Sequence, residues 1–226
     1  MANYVSNKDE SIPMFENKWV DKLTHMHPAT PVIIYLPVIL YFLYQTVTAH
    51  QIGFWGAATC FVSGVFFWTF TEYILHRFVF HYQPTTRFGK WVHFVFHGVH
   101  HDYPRDSTRL VMAPAVSIPL AFLFYFLLLA VLGPAKLPPF FAGFILGYVF
   151  YDTIHYATHH LPMQNRVGQW LKQYHALHHY QDADLGYGVS TPLWDYVFRT
   201  RPQRVPRFRS VSNRANPELE STYPDV

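Results

Sequence analysis

The chain has 226 residues, a formal net charge of +3, half its residues hydrophobic and only 14% charged, against roughly 25% charged in an ordinary soluble domain. Its lone cysteine, Cys60, sits in an apolar stretch and excludes disulfides and thiolate metal sites. The small net charge gives no case for a nucleic-acid partner, and the length fits one domain.

In chain order, residues 1–30 form a polar lead carrying Lys8, Lys18 and Lys22, without the apolar h-region of a cleaved signal peptide. Stretches 31–49, 51–71, 110–135 and 137–151 then hold no Asp, Glu, Lys or Arg. A membrane-crossing helix needs about 20 mostly apolar residues. Four spans are therefore predicted, at about 31–49, 54–75, 113–132 and 140–158, within a membrane domain 31–200. "HQIG" (50–53) and the proline-rich "GPAKLPP" (133–139) are the turns on one side. Cap segments 76–112 and 159–200 lie on the other, with both termini. A basic, partly disordered tail is predicted for 201–226, where "RVPRFR" (204–209) could meet anionic lipid or an acidic electron donor. Sixteen of the seventeen Lys and Arg residues fall on the terminal side, Lys136 being the exception. Such an excess marks cytoplasmic segments, so the termini and the cap are expected in the cytoplasm. The asymmetry also argues against a soluble helical protein whose core is made of these stretches.

Fifteen histidines outnumber the fourteen acidic residues, and ten of them converge on the cap side. They are His76 and His81 in "HRFVFH", His97, His100 and His101 in "HGVHH", His155 and His159 in "HYATH", and His175, His178 and His179 in "HALHH". On a helix, positions i, i+3 and i+4 share a face, so each trio can present three imidazoles to one point. The pair His76 and His81 diverges by about 140° on an ideal helix and needs a bend or straddles two metals. Ten charged imidazoles would repel one another, whereas neutral imidazole is the commonest metal ligand. Ten nitrogens exceed one closed zinc site, so two metals with about five nitrogens each are expected, and iron is favoured for redox chemistry. His25, His27 and His50 read as loop or interfacial residues, and His93 and His160 as neighbours of the site. Metal-bound histidines usually donate their second N–H to a carboxylate or carbonyl. Glu72, four residues before His76, and Asp152, three before His155, are placed for that role.

The four histidine motifs resemble those of the integral-membrane fatty acid hydroxylase and sterol desaturase superfamily. Their surroundings are narrower: "EYILHRFVFH" (72–81), "HGVHHDYPRDSTRLVMAP" (97–114), "YDTIHYATHH" (151–160) and "YHALHHYQDADLGYGVSTPLWDYVF" (174–198) resemble the fatty acid 2-hydroxylases of sphingolipid acyl chains. The resemblance covers roughly residues 30–200. It implies an all-α integral membrane fold, with four transmembrane helices and a cytoplasmic helical cap that carries a histidine-rich dimetal site. It implies two iron ions, which zinc can replace in purified protein, and dioxygen as co-substrate. The reaction implied is hydroxylation at C2 of a long-chain fatty acid or of a ceramide N-acyl chain, in a bacterial inner membrane or the endoplasmic reticulum. Many eukaryotic members carry a cytochrome-type haem domain with a His-Pro-Gly-Gly signature. This sequence holds no such signature, so electrons are expected from a separate donor, a cytochrome b-type or ferredoxin-like protein with its reductase. Tyr103, Tyr180, Tyr187 and Trp194 are candidates to line the acyl chain. The same boxes serve sterol or carotenoid hydroxylation and desaturation. A metal transporter would want its ligands at the bilayer midplane, and a zinc hydrolase would not need ten nitrogens.

Overall fold

A computed structural model describes residues 4–49 and 51–203. His50 and the basic stretch 204–209 lie outside the described residues. The elements are all helical: α1 (Lys18–Lys22), α2 (Thr30–Ala49), α3 (Phe54–Ile74), α4 (Arg87–His93), α5 (Val99–Asp102), α6 (Pro114–His160), α7 (Arg166–Tyr180) and α8 (Leu193–Phe198). Two π-helical turns, Leu75–Phe80 and Phe94–Gly98, extend α3 and precede α5.

Among the described residues, three helical segments are long and apolar enough to cross a membrane: Thr30–Ala49, Phe54–Phe80 and Pro114–His160. Their outward faces carry large apolar side chains such as Ile33, Val62, Phe126 and Val131, as befits a membrane protein. The third segment has 47 residues, about 70 Å at 1.5 Å per residue, more than twice a hydrocarbon core of about 30 Å. It is broken at Gly133, whose backbone (φ 72°, ψ 172°) is non-helical and lies in the left-handed range that favours glycine. The proline-rich stretch predicted as a turn is helical from Pro134 onward. Proline is tolerated at a helix start, where its missing N–H has no intrahelical acceptor to lose. Gln45 and Ala49 of α2, Gln51 and Ile52 of the turn, and Pro134 and Pro138 line one cavity. The break in α6 therefore lies beside the α2–α3 turn.

The core is aromatic. Phe141, Phe144, Ile145 and Tyr148 of α6 pack against Trp68 of α3 and against Tyr35, Ile39 and Phe42 of α2. Lipid tails are as apolar as these side chains, so close packing rather than water exclusion holds such helices together. Glycine allows that closeness here. A Cβ on Gly143 would stand 2.0 Å from the Phe61 carbonyl oxygen, and one on Gly64 2.0 Å from that of Phe140. With backbone on backbone, neither side can yield. Gly143→Ala is expected to lower the thermal midpoint in detergent, with a loss of about 3 kcal/mol; an unchanged midpoint would show that α3 and α6 part freely.

The polar lead is bonded to the histidine-bearing segments. Val5 and Ser6 donate their N–H groups to the Asp102 carbonyl at 2.8 and 3.1 Å, and Met26 donates to the Thr108 carbonyl at 2.7 Å. Asp9 accepts from the Ser107 N–H at 3.0 Å, Ser11 donates to Asp106, and Tyr180 donates to Asn7 at 2.8 Å. Residues 5–26 thus strap α5, the 103–109 loop and the end of α7 together.

Candidate metal centre

Four chain segments deliver imidazoles to one place. The turn after α3 closes with an N–H from His81 to the His76 carbonyl at 3.1 Å, a bond five residues long. That π turn removes the 140° divergence of an ideal helix, and the two rings sit 5.0 Å apart. The second π turn carries His97, followed by His100 and His101 in α5. The end of α6 supplies His155 and His159, and α7 supplies His175, His178 and His179.

The ten nitrogens sort into two groups of five. His76, His81, His97, His101 and His178 form the first; His100, His155, His159, His175 and His179 form the second, all ligand atoms of a group lying within 4.8 Å of one another. The trios do not each point at one place, as their spacing suggested. In "HGVHH" the i and i+4 histidines join the first group and the i+3 histidine the second; in "HALHH" the assignment is reversed. Positions i+3 and i+4 are about 100° apart around a helix, so a helix lying between two centres feeds both. The groups share a wall, where the rings of His101 and His179 stack at 4.3 Å. Neither His93 nor His160 belongs to either group. His160 stacks on Tyr156 at 4.9 Å.

The contacts within each group suit a cation. His97 Nε2 lies 3.2 Å from His76 Nε2, 3.1 Å from His81 Nε2 and 3.0 Å from His101 Nε2. A single ring nitrogen has one proton or one lone pair and cannot satisfy three such neighbours. In the second group, Nε2 contacts are 2.9 Å for His155–His100, 2.9 Å for His175–His159 and 3.0 Å for His179–His175. Nitrogens at right angles around a metal at about 2.1 Å stand about 3 Å apart, which is the spacing observed. The buried Nε2 of His178 has no hydrogen-bond partner. Burial first, then the neighbouring rings, holds His97, His100, His175, His178 and His179 well below the usual imidazole range and pushes His101 down to about 3. Neutral imidazole is the ligating form.

Neither carboxylate expected to orient a ligand accepts directly from a histidine among the described residues. His76 donates Nδ1–H to the Tyr187 carbonyl at 2.5 Å, while Glu72 accepts from the backbone N–H groups of Val189 and Ser190 at 2.7 and 2.9 Å and from the Ser190 hydroxyl. Asp152 accepts from the Met112 N–H at 3.2 Å, so it pins the segment that follows the cap loop rather than turning His155. A backbone N–H brought near by tertiary folding is a good partner for a buried carboxylate. Sequence spacing alone could not reveal either partner.

Of the four aromatic candidates, Tyr187 is buried, and its ring packs on His76, His81 and His178 at 5.7, 5.3 and 5.8 Å. Tyr180 lies 6.2 Å from the His179 ring. Trp194 packs on Phe70 at 4.8 Å and donates to the Thr69 hydroxyl at 2.9 Å, on the flank of α3. Tyr103 caps α5 through its N–H to the Val99 carbonyl at 2.8 Å. Two features went unread in the sequence. One is the loop Leu185–Ser190, whose glycines Gly186 and Gly188 were its signal. Gly186 has φ 77°, and a Cβ on Gly188 would stand 2.1 Å from the Thr191 carbonyl oxygen. The other is Arg109, whose guanidinium ties the strap to the cap (Asp21 at 3.3 Å, Asp106 at 3.3 Å).

Comparison with known proteins fits this geometry. The family model described as fatty acid hydroxylase matches residues 61–200, which hold all ten grouped histidines. A dihydroceramide fatty acyl 2-hydroxylase of Arabidopsis thaliana is 40% identical over 77% of this chain and 74% of its own. The ceramide very long chain fatty acid hydroxylase of Schizosaccharomyces pombe is 41% identical over 91% of this chain and 59% of its own. The solved structure of full-length scs7p, with only its hydroxylase domain visible, superposes with a TM-score of 0.78 at 37% identity, covering 83% of this chain and 71% of that one. A histidine-lined helical fold, the family match and these relatives agree: the chain belongs to the fatty acid hydroxylase family.

Proposed function

We propose that this protein hydroxylates C2 of long-chain fatty acids or of ceramide N-acyl chains, with two iron ions, dioxygen and externally supplied electrons. The single observation that carries the reading is the pair of five-imidazole groups sharing a wall, together with relatives named for acyl 2-hydroxylation. His76, His81, His97, His101 and His178 would hold one ion, and His100, His155, His159, His175 and His179 the other. When bound, the irons supply dioxygen activation, chemistry that no side chain offers. The chain's own part is to hold ten neutral nitrogens in place, to exclude water from a buried site, and to set the acyl chain against it. Tyr187 supports a role in lining that chain, because its ring already faces three histidines of the first group.

Four membrane crossings are the reading that Gly133 supports: a break beside the α2–α3 turn lets the 47-residue helix return as two spans. With four crossings, residues 31–200 form one membrane domain, and the lead, the cap segments and the termini share a face. The concentration of Lys and Arg supports a cytoplasmic location for that face. Electrons would come from a cytochrome b-type or ferredoxin-like donor and its reductase.

The test is dioxygen consumption by the iron-loaded protein in lipid nanodiscs. Uptake is expected only when ceramide and reductant are both present, and it should stop when the metal is chelated. Uptake that survives complete metal removal would overturn the proposal.

A further inference from the structure

The two histidine groups are held in different ways, and the difference lies in one loop. Leu185–Ser190 turns two carbonyls towards the first group only. His178 donates Nδ1–H to the Leu185 carbonyl at 2.9 Å, and His76 donates to that of Tyr187 at 2.5 Å. Each bond fixes the tautomer and leaves Nε2 with its lone pair free to face a metal. In the second group, the buried Nδ1 atoms of His175 and His179 have no hydrogen-bond partner.

The loop is itself clamped from both sides by buried carboxylates. Asp195, fully buried in α8, accepts from the Tyr187 N–H at 3.0 Å through Oδ1 and from the Gly188 N–H at 2.8 Å through Oδ2. Oδ1 also accepts from the Thr200 hydroxyl at 2.8 Å. Glu72, in α3, takes the next two N–H groups, of Val189 and Ser190, on Oε1, and the Ser190 hydroxyl on Oε2. Four consecutive backbone N–H groups, 187 to 190, therefore end on two carboxylates from different helices. The Tyr187 carbonyl that orients His76 lies on the peptide whose Gly188 N–H ends on Asp195. The Leu185 carbonyl that orients His178 lies on the peptide whose Gly186 N–H donates to the Thr200 carbonyl at 2.7 Å, and the Thr200 hydroxyl is held by Asp195.

Resting on the dimetal reading, we propose that Glu72 and Asp195 are positioning residues for one metal only, the one held by His76, His81, His97, His101 and His178. They act through the Leu185–Ser190 loop and leave the second metal unaffected.

The two clamps predict opposite responses to the same chemical change. At Glu72, only Oε1 meets backbone N–H. A glutamine can put its amide oxygen there and donate from its nitrogen to the Ser190 hydroxyl, so Glu72→Gln should keep the clamp and Glu72→Ala should lose it. At Asp195, both oxygens accept from backbone N–H. Asparagine must turn its –NH2 against one of them, so Asp195→Asn should lose the clamp. A purely electrostatic role would make the two amide substitutions behave alike.

The experiment measures metal per chain and the rate of metal release to a chelator, on full-length protein purified in detergent. Wild type and Glu72→Gln should carry two ions and release them slowly. In Glu72→Ala and Asp195→Asn, one ion should be missing or leave about 10–100 times faster, the usual effect of removing an outer hydrogen-bond partner. Added to His159→Ala, Asp195→Asn should empty the protein; added to His81→Ala, it should remove nothing more. Where Glu72→Ala and Asp195→Asn do not accumulate as folded protein, Glu72→Asp, whose shorter side chain withdraws its carboxylate from the Val189 and Ser190 N–H groups, supplies the same test through two-phase release. Equal release of both ions from the clamp variants, or from Glu72→Asp, would overturn the proposal. Fewer than two ions in wild type would instead contradict the dimetal reading on which it rests.

Discussion

His97→Ala is expected to lower hydroxylation by at least about a thousandfold, equivalent to about 4 kcal/mol of barrier. The reason is geometric. His97 Nε2 is the one nitrogen within 3.2 Å of three others of its group, so its loss opens the centre of that group rather than its rim. The variant should also bind one metal ion fewer. His160, which stacks on Tyr156 and belongs to neither group, is the matched control. Its replacement by glutamine should change turnover by no more than about twofold, in the range of substitutions away from special features. Product formation and metal content, measured side by side, check both. Equal losses in the two variants would mean that the histidine-rich cap is sensitive everywhere and that the grouping has no special meaning.

Arg109→Ala is expected to release the N-terminal strap and to cost about 3–5 kcal/mol, the usual result of removing one partner from a buried ion pair. The Arg109 side chain is only 4% exposed. It reaches Asp21 and Asp106, donates to the Ile12 carbonyl at 2.6 Å and to the Thr24 hydroxyl at 3.0 Å, and meets His25 Nε2 at 2.9 Å. Met14 and Phe15 N–H groups on Asp21, with Arg109 beside it, hold that carboxyl below its usual range, so it stays charged at neutral pH. Hydrogen exchange reads the outcome directly. Protection of the Val5, Ser6 and Met26 amides, which bond to Asp102 and Thr108, should fall in Arg109→Ala and fall less in Arg109→Lys. Lysine keeps the charge but not the planar, multi-donor fork. Unchanged protection would show that the strap docks without its arginine.

The apolar stretches were readable because the bilayer imposes a length on any segment that crosses it, and α2 and α3 begin within a residue of where composition put them. The set of ten histidines was readable for a related reason. Two motifs at the ends of apolar stretches, and two in the polar segments that follow those stretches, have few other places to go. Their division was not readable. Choosing between two centres depends on where α5 and α7 lie relative to both, which spacing does not encode. The His76–His81 pair was the weakest by ideal-helix geometry, and it is brought together by a π turn that only the packed structure specifies. Glu72 and Asp152 show the limit of reading along one helix face. Both sit at ligand spacing, yet both bond to backbone far away in sequence, Val189 and Met112 respectively. The strap had no hydrophobic period to announce it. Its partners, Asp102 to Arg109, lie some eighty or more residues on.

The proposed reaction puts one atom of dioxygen on C2 of an acyl chain. Turnover of a ceramide by the purified, iron-loaded protein under isotopically heavy dioxygen tests it most directly, with the product fragmented by mass spectrometry to locate the label. One heavy oxygen atom is expected, in a hydroxyl group at C2 of the N-acyl chain. A hydroxyl oxygen drawn from water, or a label at another carbon, would contradict it.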